Sequence, residues 1–338
     1  MAKFILYKNK VIEQYNSLNK INARILYSVK TNPLLAPILE HNTDSEFNCS
    51  SLKEANLVND KSRIWYHSQL LDNLDLIFSL GIRKFVVEDL HDLDLLIDYI
   101  QKNNHKIDLL LRMKLKENTI FTGRFYVFGM ESKIVNEKIK ELRGNRNINK
   151  IGIHFHRKSQ NVSEWSLKHE IKDSITEETL KNIDFLNIGG GLPINYKNSR
   201  SDILSTIIPK LIDLVSWLKG YNIETIIEPG RYISGPSVEL ETEIKKVSGR
   251  DIIVDCSVYN TTMDTLIVPI KLIVKNELEK AGKSYVIKGC TPCSMDIFRY
   301  DIKLQNPKVG DKLIFINAGA YNFATDFCML NKIETIVL

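Results

Sequence analysis

Short β-rich apolar runs alternate with longer helical patterns from residue 24 to residue 229, and this rhythm restricts the fold more than any other feature of the chain. Eight runs are present, at residues 24–30, 45–49, 63–67, 84–88, 107–114, 150–156, 184–189 and 223–229. Between them apolar residues recur near the helical period, most clearly at Leu90, Leu93, Ile97 and Ile100 and at Leu204, Ile207, Leu211, Leu214 and Leu218. Strands that alternate with helices build right-handed crossovers onto a parallel sheet. Eight units predict a closed (β/α)8 barrel. An open doubly wound sheet is the structural alternative.

The rhythm stops after Pro236. Val238, Leu240, Thr242 and Ile244 alternate as in a half-buried strand, and β-rich runs follow at 251–255, 271–275, 284–288, 312–317 and 332–338. No long helical pattern intervenes. The expected organisation is a barrel over residues 20–235 and an all-β domain over 236–338. The strand-like Phe4-Ile-Leu-Tyr7 suggests that residues 1–19 join the β-domain.

Composition excludes several functions. Hydrophobic residues make up 43% of the 338 and charged residues 26%, which excludes disorder. The net charge of +5 is mixed along the chain. Its densest basic stretch, 138–146, contains an acid and no aromatic residue, so no nucleic-acid partner is expected. No apolar run approaches the roughly 18 residues of a membrane span, and the start lacks a signal-peptide pattern. The odd count of five cysteines points to free thiols and a cytoplasmic location.

In a parallel barrel, chemistry collects where the strands end. Those ends carry Lys30, Asn48, His67, Glu88, Lys114, His156, Gly189 to Gly191, and Glu228 to Arg231. Lys30 is either an imine-forming amine or a snorkelling surface lysine. Three successive glycines let backbone N–H groups approach a phosphate, or simply form a turn. Glu228 can face a protonated ring nitrogen, with Arg231 beside it on a phosphate, or the two form an ordinary ion pair. His154 and His156 share one face of a strand, but no third ligand has metal-site spacing. Ser159 follows them and can donate to a phosphate. Cys290-Thr-Pro-Cys293 is half a zinc site at most, and a thiol proton donor or two inert thiols are the better readings.

Taken in order, these motifs resemble the fold-type III pyridoxal 5'-phosphate (PLP)-dependent decarboxylases, the family of ornithine, diaminopimelate, arginine and carboxynorspermidine decarboxylases. Tyr27-Ser-Val-Lys30-Thr-Asn-Pro looks like the family's Y-A-V-K-A-N-P, which implies that Lys30 binds PLP covalently. Phe47-Asn48-Cys-Ser-Ser-Leu-Lys-Glu54 is similar to F-D-x-A-S-x-x-E. Glu54 matches, and Asn48 stands where an aspartate is usual. Arg124 falls near an arginine of the ornithine-type enzymes. His154-Phe-His156-Arg-Lys-Ser159-Gln resembles H-x-H-x-G-S-Q, with Lys158 in place of the glycine. It implies that His156 stacks on the pyridine ring and Ser159 reaches the phosphate. Gly189, Gly190 and Gly191 resemble the phosphate-binding glycines. Glu228-Pro-Gly230-Arg231 matches E-P-G-R, and Gly319-Ala-Tyr321 matches G-A-Y. These put Glu228 on the pyridine nitrogen and Gly230, Arg231 and Tyr321 around the phosphate.

Gly289-Cys-Thr-Pro-Cys293-Ser-Met-Asp296 resembles G-P-x-C-x-x-x-D, with Pro292 at the cysteine position and Cys293 one place later. Cys293, or else Cys290, is the implied proton donor. The stretch from Asp255 to Pro269 looks most like the carboxynorspermidine group, while E-P-G-R does not. Asp264, Asp296 and the stretch at Cys256 are expected on the substrate side. The resemblance implies an alanine-racemase-type barrel with a C-terminal all-β domain. It also implies a homodimer with shared active sites, and decarboxylation of a basic amino acid or carboxylated polyamine. A racemase on the same barrel and a non-catalytic relative are the competing readings.

Overall fold

The computed structural model describes residues 1–115, 127–199, 203–280 and 282–338. Two compact units are present. One is built from Ser17–Pro193 and Ile203–Gly230, the other from Met1–Asn16, Ile194–Asp202 and Arg231–Leu338.

The N-terminal strand β1 (Lys3–Leu6) belongs to the second unit. The first unit is a closed parallel barrel of β2 (Arg24–Ser28), β3 (Glu46–Cys49), β4 (Ile64–Tyr66), β5 (Lys84–Val87), β6 (Ile107–Arg112), β7 (Ile148–His154), β8 (Phe185–Asn187) and β9 (Glu224–Ile227). Each strand pairs with the next, and β9 returns to β2 through Arg24 opposite Ile226. That closure excludes the open sheet. The eight expected runs are these eight strands.

The strands are short because both faces are buried. Side chains pointing inward must fill a narrow interior. Leu26, Trp65, Val86, Leu110, Phe185 and Ile226 form one buried cluster there, and Trp65 meets Phe185 edge to face at 5.6 Å. Gly152 on β7 leaves the room this needs. A Cβ there would lie 2.9 Å from Leu110 Cδ2 and closer still to Phe185. Helices such as Leu90–Lys102 turn Leu93, Leu96 and Ile100 inward and are buried along one stripe only. Among the described residues no helix is long and apolar enough to cross a membrane.

The second unit is a mostly antiparallel sheet. Its strands are β10 (Val238–Ser248), β11 (Asp251–Val254), β12 (Ile273–Val274), β13 (Lys283–Lys288), β14 (Ile297–Leu304), β15 (Lys312–Ile316) and β16 (Glu334–Val337). The order is β12-β15-β10-β11-β13-β14, and β1 inserts between β10 and β16. Strand β14 is absent from the sequence expectation. Its pairing with β13 shifts register between Tyr285 and Lys288, so Tyr300 and Asp301 both face solvent and the alternation breaks.

Candidate active site

The C-terminal ends of β3 to β9 converge on one carboxylate. Glu228, just past β9, is 7% exposed. Its Oε1 accepts the amide of Asn48 from β3 at 2.8 Å and the amide of Asn187 from β8 at 2.8 Å. His154 Nε2, at the end of β7, lies 3.6 Å away. Burial opposes the charge. His154, His67 and the Asn48 amide outweigh it, and hold the Glu228 carboxyl well below the usual range.

A second tier supports the first. Asn48 Nδ2 also lies 3.3 Å from His67 Nδ1, whose Nε2 is 2.8 Å from Glu88 Oε1. Arg112, ending β6, bonds the same Glu88 oxygen. Glu88 is thereby pinned as an anion, its pKa lowered by the His67 hydrogen bond and the Arg112 charge against the effect of burial. Burial lowers the pKa of His67, and lowers that of His154 to about 4 despite Glu228. At the half-buried His156, desolvation and then the Arg112 cation act in the same direction. His156 accepts the Gly190 N–H on Nδ1 at 3.2 Å.

Three neutral histidines in one site make the fold acid-sensitive. A histidine whose folded pKa is depressed takes up its proton more readily when unfolded, so stability is lost as pH falls below 6.5. The melting temperature is expected to drop by several degrees between pH 7 and pH 5. In a His154→Gln variant the drop should be smaller, and circular dichroism melts across that range check it. An equal drop in the variant removes His154 from the account.

The glycine run sits beside this carboxylate. Gly189 and Gly191 have φ of +68° and +109°, which side-chain-bearing residues rarely adopt. A Cβ on Gly190 would lie 2.6 Å from the Glu228 carbonyl oxygen. The result is a concave backbone edge that admits a ligand but no side chain. Thr31 Oγ1 and both ring nitrogens of His154 are buried with no hydrogen-bond partner. Lys30 is exposed in the 3-10 turn that ends β2, and Glu54 accepts the Ser50 N–H at 2.7 Å. Ser159 is half-buried in the segment after β7, and the Gly230 N–H returns to the Glu228 carbonyl at 2.9 Å. Arg124 lies outside the described residues.

An amine, a buried carboxylate and a glycine-walled edge fit a group that offers a carbonyl, a basic ring nitrogen and a phosphate. PLP is such a group. Among the described residues no cluster of three or more His, Cys, Asp or Glu can hold a metal.

The remaining expected residues lie in the second unit. Arg231 is 4% exposed; it pairs with Asp264 through both terminal nitrogens and donates to Tyr196 Oη at 2.8 Å. Tyr321 adopts φ of +51° with its ring 5.1 Å from the Arg231 guanidinium. Cys293 Sγ lies 3.2 Å from Tyr259 Oη, which lowers the thiol pKa, and Tyr259 stacks on Phe327. Cys290 is exposed.

The three residues expected on the substrate side are all buried. Asp264 is 2% exposed and its carboxylate is committed to Arg231. Asp296 is 1% exposed and accepts from Val258 N, Thr291 N and Thr291 Oγ1 at 2.7–3.0 Å, so it holds the loop that carries Cys293. The Cys256 thiol is fully buried, and burial raises its pKa well above the ordinary value. The sequence reading assigned no role to Asn187, Arg112, Tyr196 or Tyr259, and placed His67 and Glu88 at strand ends without giving them one. Strand-end position was the available signal for four of the six.

Residues 8–235 match the model of a family described as pyridoxal-dependent decarboxylase, pyridoxal binding domain. The chain is 26% identical over 260 residues to diaminopimelate decarboxylase of Aquifex aeolicus, covering 72% of this chain and 61% of that protein. It is 24% identical over 343 residues to lysine/ornithine decarboxylase of Selenomonas ruminantium, covering 93% and 83%. The match thus spans less than two thirds of the Aquifex aeolicus protein. The crystal structure of diaminopimelate decarboxylase from Helicobacter pylori complexed with L-lysine shares the fold, with a TM-score of 0.85 at 20% identity over 100% of this chain and 91% of that one.

Proposed function

The chain belongs to the pyridoxal-dependent decarboxylases, and from that premise we propose that it releases CO2 from Cα of a basic amino acid or a carboxylated polyamine. The observation that carries this reading is Glu228, a buried anion whose Oε1 is occupied by two amides at the barrel mouth. When bound, PLP supplies the electron sink for the pair left on Cα as CO2 departs.

The chain's own groups divide the remaining work. Lys30 anchors the cofactor through its amine and yields that place to the substrate amine. Glu228 holds a proton on the ring nitrogen, because a carboxylate kept ionised by its neighbours favours the cation opposite it. His156, neutral and held by the Gly190 N–H, offers a flat uncharged face to the ring. Gly189, Gly190, Gly191, Gly230 and Ser159 wall the phosphate end, and Arg231 and Tyr321 are assigned to the phosphate as well. Glu54 and Arg124 complete the cofactor set.

Cys293 returns a proton to Cα, with Tyr259 setting the orientation of its sulfur. Cys293→Ala is expected to lower turnover by about a hundredfold, within the usual range for a general acid. Cys290→Ala should stay within a few-fold of wild type. Steady-state rates of both variants decide between the thiols, and the reverse order assigns the role to Cys290.

The enzyme is assigned as a homodimer, and five thiols without disulfides fit a cytoplasmic location. The deciding experiment measures CO2 release by the PLP-loaded chain from ornithine, lysine, arginine, diaminopimelate and carboxynorspermidine. Release from one of them supports the reading. A loaded chain that racemises an amino acid and releases no CO2 refutes it.

A further inference from the structure

The residue that departs from the family pattern, Asn48, lies at the centre of the buried polar chain. It is 4% exposed, and its Nδ2 faces two groups, Glu228 Oε1 at 2.8 Å and His67 Nδ1 at 3.3 Å. A carboxamide nitrogen has two hydrogens, one for each. The orientation of the amide is dictated from behind. Arg112 fixes Glu88 as an anion and lies 3.3 Å from His67 Nε2; the shorter contact of that nitrogen, 2.8 Å to the Glu88 carboxylate, takes the ring proton on Nε2. The lone pair of His67 is then on Nδ1 and accepts from Asn48. Turning the amide over would set its oxygen against both that lone pair and the Glu228 carboxylate.

Among the described residues, the ionisable groups facing Glu228 come from several strands. His154 lies 3.6 Å away on β7, His67 projects from β4, and Glu88 and Arg112 lie behind His67 on β5 and β6. His156 and Lys30 belong to the same cluster of interacting charges. From β3 and β8 the contacts are neutral, Asn48 and Asn187. An aspartate at position 48 would put a second acid there. The carboxamide lets this chain surround Glu228 with fixed donors and no competing carboxyl.

We propose that Asn48 is a positioning residue that, oriented by His67, occupies Glu228 Oε1 with a permanent N–H donor and reserves Oε2 for the protonated ring nitrogen of the cofactor. The inference rests on the pyridoxal reading. It concerns which partner keeps the shared proton. Donors on Oε1 stabilise the carboxylate and leave the proton on nitrogen. Without Asn48 the carboxyl becomes more basic and draws the proton toward itself.

The test loads the full chain with PLP labelled with ¹⁵N in the ring and reads the nitrogen resonance. In wild type the resonance should sit at the protonated position from pH 6 to pH 9. In Asn48→Leu, which removes both N–H groups at similar volume, it should move toward the unprotonated position within that range. A merely structural role for Asn48 would leave it in place. The second variant, Asn48→Asp, retains a donor only while protonated, and is read by thermal melts of the unloaded chain. Its folded carboxyl pKa lies above the unfolded value, so stability is kept at low pH and lost as pH rises through the folded pKa. Its folding constant relative to wild type should fall at least about tenfold between pH 5 and pH 8, as for a carboxyl raised by roughly two units.

An unmoved resonance in Asn48→Leu overturns the proposal, and so does a pH-independent stability gap in Asn48→Asp. Either result leaves the pyridoxal reading intact. A wild-type chain whose loaded ring nitrogen is unprotonated overturns the proposal alone, and a chain that takes up no labelled PLP overturns the pyridoxal reading with it.

Discussion

Replacing Lys30 with alanine is expected to abolish covalent retention of the cofactor while leaving the fold in place. Lys30 is exposed at the end of β2. Its truncation removes no buried contact, and stability should stay within about 0.5 kcal/mol of wild type. The glycine edge and Glu228 belong to other strands and remain. PLP should therefore still bind, but without the visible band of a lysine-linked cofactor. Turnover should fall by about four orders of magnitude or more, the scale on which loss of a covalent catalytic group acts. Borohydride reduction followed by denaturation separates the cases. Wild-type chain keeps the chromophore and the variant releases it. An unaltered band in Lys30→Ala refutes Lys30 as the anchor.

The second large effect is expected at Glu228. Glu228→Gln keeps the volume, and its carbonyl can still accept the Asn48 and Asn187 amides at the position of Oε1. Its new NH2 then faces the ring nitrogen as a donor, which requires that nitrogen to be unprotonated. The ring loses its positive charge, and with it most of its capacity to accept electrons from Cα. Turnover should drop by two to three orders of magnitude, the scale of losing one preorganised charge contact. PLP affinity should change far less, because the phosphate cradle and Lys30 are intact. A kcat within a few-fold of wild type would show that the ring-nitrogen contact is unimportant. The wild-type carboxyl is held well below the ordinary carboxylate range, so Glu228 itself stays ionised where an ordinary carboxyl would begin to protonate. Acid inactivation should instead follow the histidines.

Much of this architecture is visible along the chain. Each barrel strand centres on a short run of buried apolar residues, so it appears as a compact apolar stretch with polar side chains at or near its ends. Lys30, Asn48, His67, Glu88 and His156 stand at or just past such ends. The reverse holds for β14, where a register shift placed Tyr300 and Asp301 on the same side and erased the signal. Asn187 lies in the run 184–189 just before the glycines, and nothing local marks its amide as part of the site. That amide reaches Glu228, 41 residues later in sequence. Asp264 and Asp296 have partners that no local pattern shows. Arg231 pairs with the first, and backbone groups of Val258 and Thr291 donate to the second.

The sequence alone determined the two-part division, the closed barrel and the order of the chemical groups along its rim, because periodicity and strand ends are local properties. Only the tertiary structure decided which groups act on one another. Asn48 and Glu228 are 180 residues apart, and only closure of the barrel brings them to 2.8 Å. The physical reason lies in burial. A carboxylate withdrawn from water takes its pKa and its free oxygen from whichever donors surround it, and those donors come from strands that no local pattern connects.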